Sequence, residues 1–314
     1  MYLSGWAAHH PDAVLSNDEL VATLDTTHEW IESRIGITER RIAADHETVA
    51  RLGAAASSAA LDRAGVALAD IDLVISASSF DDHDMPASAA RIAAELGSSA
   101  FSFDLRAACS GWLVGVEVAA AFIETGRADQ VLVCAAEKTS LGVDPTDRAT
   151  RPFFGDAAGA AVVTGRRPTL GLEVVEIRSE ADNTAHDAVF IPRGSWFQMD
   201  GPRTRDWVED AIARLATGLL ADHGLSAADL AGLVCHQANL RLLERVAADL
   251  GVAPERHWHN VEWAGNTSAA GAPTSLAAGL DAHARDLRDG DPILVVTVGA
   301  GLNVVACLLR WVAD

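Results

Sequence analysis

Short aliphatic runs alternate with alanine-rich stretches along most of this chain of 314 residues. The runs are bounded by turn residues and predict buried strands at 71–75, 130–134, 160–163, 233–235 and 293–296. The alanine-rich stretches predict helices at 47–64, 86–96, 110–125, 204–223, 239–250 and 272–287. Strands that alternate with helices indicate an α/β protein with a largely parallel sheet covered by helices.

The pattern of the first half of the chain recurs in the second half. Residues 64–71 and 223–230 each combine a glycine, an Ala-Asp pair and a following aliphatic strand, at an offset of 159. Residues 126–133 and 289–295 repeat the relationship at an offset of 162. Two matches in the same order predict two α/β halves, 1–167 and 168–314, with chance similarity of alanine-rich sequence as the alternative. Ligands tend to bind where such halves meet.

Charge and cysteine usage exclude several classes of function. The 24 basic and 44 acidic residues give a net charge of −20, which opposes binding to nucleic acid or to an anionic membrane. No apolar run reaches the ~18 residues of a membrane span, and no signal peptide is evident, so a cytoplasmic location is expected. The four cysteines are far apart, and the pair His257 and His259 lacks an evident third ligand, so no metal is expected.

Three polar side chains lie beside predicted helix starts. Cys109 precedes the helix at 110–125, where the helix dipole stabilises a thiolate. His236 follows a strand, and Asn266 precedes the helix at 272–287. Each residue alone is explained by an inert thiol, a structural histidine or a turn. The two halves, however, place the turns before these two helices opposite each other, so Cys109 and Asn266 are expected to meet.

Six motifs, in one order along nearly the whole chain, resemble the β-ketoacyl-acyl-carrier-protein synthase III family of the thiolase superfamily. They lie at residues 25–37, 107–111, 144–148, 154–160, 236–239 and 265–268. The resemblance implies a thiolase-like α/β fold. In that fold two pseudo-symmetric βαβαβαββ halves stack as five layers in the order αβαβα.

The resemblance also implies a reaction. The family's Cys-His-Asn triad falls on Cys109, His236 and Asn266. Cys109 would take an acyl group from acyl-CoA, and a malonyl thioester, carried by CoA or by an acyl carrier protein, would then lose carbon dioxide and condense with it. His236 and Asn266 would stabilise the enolate oxygen, and the N–H groups of Cys109 and Ala300 would form a second oxyanion hole. No cofactor is implied, since acyl-CoA is a substrate.

The remaining family assignments concern binding. By similarity, the CoA-binding residues are Thr26, Trp30, Arg34, Arg148, Asn239 and Arg241. Met85 and Trp112 are assigned to the acyl pocket, with Met85 reaching the partner subunit of a homodimer.

Some positions depart from the family pattern. The usual triple-glycine turn reads Gly299-Ala300-Gly301, and Asp249 lies on the helix where docking lysines are common. These changes suit fatty-acid-like or polyketide specialised metabolism with an altered primer or acceptor. One alternative keeps the same triad but transfers the acyl group to a hydroxyl or amine without decarboxylation. A silent partner subunit is disfavoured because the triad is retained, and a dinucleotide fingerprint is disfavoured because Val304 replaces its third glycine.

Overall fold

The computed structural model describes residues 1–313 and all of their side chains except that of Asp206. The strands are β1 (Tyr2–His9), β2 (Val14–Ser16), β3 (Glu39–Arg41), β4 (Leu73–Ala77), β5 (Phe101–Leu105), β6 (Gln130–Glu137), β7 (Ala157–Thr164), β8 (Leu170–Ala181), β9 (Val189–Phe190), β10 (Gln198–Met199), β11 (Gly232–Cys235), β12 (Pro292–Gly299) and β13 (Asn303–Ala313). The helices are α1 (Asn17–Thr23), α2 (His28–Arg34), α3 (Val49–Ala64), α4 (Ser88–Leu96), α5 (Gly111–Glu124), α6 (Gly201–Asp222), α7 (Leu240–Leu250), α8 (Val261–Ala264) and α9 (Gly271–His283).

A mixed sheet of nine strands runs through the described part of the chain, in the order β11-β12-β13-β8-β1-β7-β6-β4-β5. Strands β4, β5 and β6 are parallel to one another, as are β11 and β12. The other neighbours in the sheet pair antiparallel, so the prediction of a largely parallel sheet is wrong. The two parts of the sheet are joined at its middle, where β1 pairs with β8 through only two residue pairs. This narrow seam separates a five-stranded part from a four-stranded part.

Three apolar cores define five layers. The central core contains side chains of α5 and α9 together with both parts of the sheet. The second core packs α6 and α7 on the outer face of β11, β12 and β13, and the third packs α3 and α4 on the outer face of β4, β6 and β7. The helices α5 and α9 are therefore sandwiched between two sheet layers, which places their N-termini side by side at the centre of the molecule. This arrangement confirms the predicted αβαβα layering.

The two halves correspond element by element. The order β1-α3-β4-α4-β5-α5-β6-β7 is repeated as β8-α6-β11-α7-α9-β12-β13, apart from the third strand. In the second half that strand is reduced to one bridge between Leu233 and His257. A 3₁₀ turn ends at Arg256 and α8 begins at Val261, so too few residues remain between them for a longer strand. The division of the chain at residue 167 stays a prediction that this correspondence supports.

No helix among the described residues has both the length and the apolar composition needed to cross a membrane. The cytoplasmic location stays a prediction.

Candidate active site

Cys109 lies in a tight turn between β5 and α5. A 3₁₀ turn at Ala108–Ser110 joins the strand to the helix, and Ala108 adopts a left-handed backbone with φ of 49°. Cys109 is partly buried, and its Sγ atom lies 3.6 Å from the Oγ atom of Ser268. The left-handed residue turns the chain sharply, so that the thiol sits at the N-terminal end of α5.

His236 continues the line of β11 beyond the end of the strand. Its backbone N–H donates to the carbonyl of Val296 at 2.7 Å, which extends the parallel pairing with β12 by one residue. The buried side chain of Gln237 donates to the carbonyl of Cys235 at 2.7 Å and accepts from the N–H of Asn260 at 3.1 Å. These contacts fix the loop, and the Nδ1 atom of His236 is buried without a hydrogen-bond partner among the described residues.

Asn266 is held at both its backbone and its side chain. Its N–H donates to the carbonyl of Phe153 at 2.7 Å, and its carbonyl accepts from the N–H of Gly155 at 3.1 Å. A Cβ atom at Gly155 would lie 2.1 Å from the carbonyl oxygen of Ala264, so only glycine fits there. The Asn266 Oδ1 atom accepts from the N–H of Ser268 at 3.0 Å. The amide nitrogen of Asn266 is therefore left free to donate to a substrate.

The Gly299–Gly301 turn packs directly against the turn that carries Cys109. A Cβ atom at Gly299 would lie 2.5 Å from the carbonyl oxygen of Ala107, so this close approach requires glycine. Within the described part of the chain, neither the N–H of Cys109 nor that of Ala300 donates to a carbonyl of another loop or turn, and the N–H of Cys109 lies beside its own sulfur. Both groups are thus available to an oxygen atom of a ligand.

One cavity of about 1890 Å³ joins these features. Its wall includes all four predicted chemical residues, Cys109, His236, Asn266 and Ala300. It is also lined by aromatic side chains of the buried Phe80–Phe154 cluster and by Phe153, Phe190 and Phe197. The cavity is large enough for a long thioester, and the aromatic part of its wall suits an acyl chain.

Burial sets the protonation of the two titratable groups of the predicted triad. It raises the pKa of the Cys109 thiol to about 12, and the nearby carboxyl of Glu137 adds to the increase. Burial lowers the pKa of His236 to about 4. At neutral pH the site therefore holds a neutral thiol and a neutral imidazole, which can donate one N–H to a developing negative charge.

Two residues of the site escaped the sequence analysis, Ser268 and Glu137. Ser268 is buried within the motif at 265–268 and contacts the thiol of Cys109. Glu137 is fully buried at the C-terminal end of β6, although the rest of that strand is almost entirely apolar. A carboxylate that ends a buried aliphatic strand was the available signal, because a buried charge needs a special environment.

The residues predicted to bind CoA divide into two groups. Trp30 and Arg34, on α2, line the cavity, and the guanidinium of Arg148 lies 5.9 Å from the centre of the Trp30 ring. Asn239 also lines the cavity, while its side-chain oxygen caps α7 at the N–H of Leu242, 2.9 Å away. Thr26, Arg148 and Arg241 lie outside the cavity wall. Arg241 instead binds the carbonyl of Glu32 and the carboxylate of Glu244.

The two residues assigned to the acyl pocket also lie outside the cavity wall of this chain. Trp112 is buried in the central core, since α5 turns this side chain away from the cavity and into the layer between the sheets. Met85 is 82% exposed at the surface, so it contributes nothing to the pocket of its own subunit.

Among the described residues, one group of side chains could offer three ligand atoms to a metal, namely Asp81, Asp82 and His83. Arg91 forms ion pairs with both carboxylates, so the cluster is already supplied with a cation. His257 and His259 form no such group in the part of the chain that the structure describes.

Known proteins match the chain along almost its entire length. Residues 103–182 match the family model of 3-oxoacyl-[acyl-carrier-protein] synthase III, and residues 220–311 match the model of its C-terminal part. The β-ketoacyl-[acyl-carrier-protein] synthase III of Roseobacter denitrificans is 37% identical over 322 residues, which cover 98% of each protein.

Solved structures also match the chain over almost its entire length. A 3-oxoacyl-[acyl-carrier-protein] synthase III from Aquifex aeolicus superposes with a TM-score of 0.92 at 32% identity, covering 98% of this chain and 99% of that one. The priming β-ketosynthase of the R1128 polyketide pathway superposes with a TM-score of 0.88 at 34% identity, covering 99% of this chain and 96% of that one. The fold and the site define an acyltransferase with the thiolase fold. More narrowly, the chain belongs to the β-ketoacyl-acyl-carrier-protein synthase III family.

Proposed function

We propose that this protein transfers an acyl group from acyl-CoA to Cys109 and condenses it with a malonyl thioester, with loss of carbon dioxide, to give a β-ketoacyl product. The observation that carries the proposal is the convergence of Cys109, His236, Asn266 and Ala300 on one cavity. The placement of Trp30 and Arg34 on the same cavity supports CoA as the donor, because an aromatic ring and a guanidinium suit an adenine nucleotide.

In the first half-reaction, the Cys109 sulfur attacks the thioester carbonyl. The C–S bond to CoA breaks, and the thiol proton ends on the CoA sulfur. The free N–H groups of Cys109 and Ala300 are positioned to donate to the oxyanion of the tetrahedral intermediate. A thiolate suits this exchange because the nucleophile and the leaving group are both sulfur.

In the second half-reaction, the malonyl thioester loses carbon dioxide, and its thioester oxygen becomes an enolate. Asn266 can donate its amide hydrogen to this oxygen, because its own carbonyl oxygen is occupied by the N–H of Ser268. His236 can donate as a neutral imidazole, because burial lowers its pKa to about 4. The enolate carbon then attacks the acyl carbonyl on Cys109, the C–S bond to Cys109 breaks to give the β-ketoacyl thioester, and the released Cys109 thiolate takes up a proton from solvent. These residues supply all the groups of the proposed reaction, so no cofactor is required.

The departure of Ala300 and Asp249 from the family pattern supports specialised metabolism as the setting. The homodimer also remains a prediction. It is supported by β5, which lies at one end of the sheet with the side chain of Phe101 69% exposed. A second β5 strand could pair along this edge and bring Met85 towards the cavity of the partner subunit.

The decisive experiment records the intact mass of the protein after incubation with a panel of acyl-CoAs. The wild type is expected to gain one acyl group and Cys109→Ala none, whereas Cys307→Ala, which removes a thiol buried in the central core and outside the cavity wall, should still be acylated. Failure of the wild type to react with every acyl-CoA and every acyl carrier would overturn the proposal.

A second stage adds malonyl-CoA or a malonyl carrier protein to the acylated enzyme. Release of one carbon dioxide for each β-ketoacyl product formed supports condensation. Transfer of the acyl group to a hydroxyl or amine, without release of carbon dioxide, would replace condensation by simple acyl transfer at the same site.

A further inference from the structure

A buried carboxyl group lies behind the reactive thiol. The Glu137 carboxylate accepts hydrogen bonds from the backbone N–H groups of Ser79, Phe80 and Ala269 at 2.7–3.3 Å. Its side chain is fully buried, and desolvation raises the pKa of Glu137 to about 7 despite these bonds. The group is therefore able to take up or release a proton near neutral pH.

Ser268 stands between this carboxyl group and Cys109. Its Oγ atom lies 3.6 Å from the Sγ atom of Cys109, and its hydroxyl is near enough to the Glu137 carboxyl to lower the pKa of that group. The backbone of Ser268 is fixed on both sides. Its N–H donates to the Asn266 side chain, and the next N–H, that of Ala269, donates to Glu137. The thiol of Cys109, the hydroxyl of Ser268 and the carboxyl group of Glu137 thus lie next to one another in a chain of polar groups.

The proposed acyl transfer needs such a chain of polar groups, because the thiol must lose its proton as the C–S bond forms. Burial raises the pKa of Cys109 to about 12, so very few molecules of the free enzyme carry this residue as a thiolate at neutral pH. His236 makes no hydrogen bond to the Cys109 sulfur in the part of the chain that the structure describes. The hydroxyl of Ser268 is the polar side-chain partner that the structure gives this sulfur.

We propose that Ser268 and Glu137 form a proton relay that activates Cys109, an inference that rests on the proposed acyl transfer. As the sulfur attacks the thioester, the S–H proton passes to the Ser268 oxygen, and the Ser268 O–H proton passes to the Glu137 carboxylate. When the CoA sulfur leaves, Glu137 returns a proton through Ser268 to that sulfur. The relay ends as it began, and the balance is acyl-S-CoA plus Cys-SH giving acyl-S-Cys plus HS-CoA.

The other charged groups near the relay do not replace its acceptor. The thiols of Cys109 and Cys134 are the titratable groups whose pKa values Glu137 raises. The ammonium of the neighbouring Lys138 points away, towards the carbonyls of Ala44 and Glu47. In the loop after Phe80, Asp81 and Asp82 are paired with Arg91.

The test measures the rate of acylation of Cys109 by intact mass after rapid quenching, between pH 5.5 and 9. The wild-type rate is expected to rise with pH as Glu137 loses its proton, with an apparent pKa of about 7. Glu137→Gln keeps one of the two acceptor oxygens for the backbone N–H groups but cannot accept a proton. Its rate should fall about 100-fold and lose this rise. Glu137→Asp, which keeps a carboxyl group, should regain the rise at a lower rate.

Two further variants separate the relay from a structural role. Ser268→Ala breaks the chain of polar groups and should show the same loss as Glu137→Gln. Asp156→Asn removes another buried carboxylate that accepts from backbone N–H groups, those of Ala43 and Ser140, and should keep the pH-dependent rise. A wild type that is acylated, beside a Glu137→Gln variant with the same rate and pH profile, would overturn the relay alone. A wild type that is never acylated would overturn the proposed function.

Discussion

Ala108 and Ser268 occupy equivalent places in the two halves and share a left-handed backbone, with φ of 49° and 53°. Each begins a 3₁₀ turn that leads into a central helix, α5 after Ala108 and α9 after Ser268. Non-glycine residues avoid this conformation, because the Cβ atom crowds the following carbonyl oxygen at a cost of roughly 1–2 kcal/mol. The packing of the two turns against each other holds both residues in it.

Substitutions of Ala108 should show how its left-handed backbone conformation affects the free energy of unfolding. In Ala108→Gly, relief of the crowding and the greater freedom of the unfolded chain oppose each other. The free energy of unfolding is therefore expected to stay within about 1 kcal/mol of the wild type. Ala108→Val adds a β-branched side chain at the same φ and should lose more than about 2 kcal/mol. Urea denaturation of both variants measures the difference, and equal stability of Ala108→Gly and Ala108→Val would contradict the prediction.

The two proposed enolate donors should affect only the second half-reaction. His236→Ala and Asn266→Ala are each expected to accept the acyl group from acyl-CoA yet to release carbon dioxide from a malonyl thioester at least 100-fold more slowly, since each removes a donor to the enolate oxygen. Intact mass measures the first step and trapped carbon dioxide the second. His46→Ala, an exposed histidine, serves as the control. Full condensation by either variant would remove that residue from its proposed role.

Trp30 should contribute to the affinity for CoA but not to the chemistry. The ring lines the cavity and lies beneath the Arg148 guanidinium, so loss of stacking in Trp30→Ala is expected to raise the KM for acyl-CoA about tenfold. An acyl-pantetheine lacks the adenine nucleotide, and its KM should be the same for both proteins. Steady-state kinetics with the two substrates provide the comparison. An equal effect on both substrates would place Trp30 elsewhere in the site.

His257 should make the protein less stable in mild acid. Burial lowers its pKa from 6.5 to about 4, so the folded state binds fewer protons than the unfolded state between these values. The contribution of His257 to the free energy of unfolding is therefore fully present above pH 6.5. It falls as the pH drops towards 4, by up to about 1.4 kcal/mol per pH unit. Glu137 contributes with the opposite sign in part of this range, because its folded pKa is raised.

A comparison of variants isolates the contribution of His257. His257→Gln should lose less stability than the wild type between pH 6.5 and 4.5, whereas His46→Gln, at an exposed position, should follow the wild type. Urea titrations at several pH values measure each slope. Parallel curves for His257→Gln and the wild type would show that the histidine does not titrate as its burial requires.

The helices and buried strands were predictable because their patterns are local. Each of the six predicted helices and five predicted strands corresponds to an element of the structure, and the αβαβα order followed from the family resemblance. Four strands of the large sheet were missed, namely β1, β5, β8 and β13. The burial of β5 and β8 is incomplete, so their sequences lack a continuous apolar run. In β5, Phe101 and Asp104 are exposed at the edge of the sheet.

Within the site, only the residues that stand in short sequence motifs were predictable. Cys109, His236 and Asn266 were found because each stands in a short motif, and the structure brings all three to one cavity. Glu137 belongs to no such motif. Its importance comes from contacts with Ser79 and Ala269, which are 58 and 132 positions away in the sequence. Arg241 and Trp112 were misplaced relative to the cavity because a helix position does not reveal which way its side chain turns.

The raised pKa of the Cys109 thiol also affects how the protein reacts with small electrophiles. Peroxides and alkylating agents react with thiolates, so a thiol whose pKa is raised by desolvation is expected to react slowly with them at neutral pH. We therefore expect Cys109 to react slowly until its proposed thioester substrate occupies the cavity. The same desolvation that makes deprotonation of this thiol difficult is expected to slow its oxidation between turnovers.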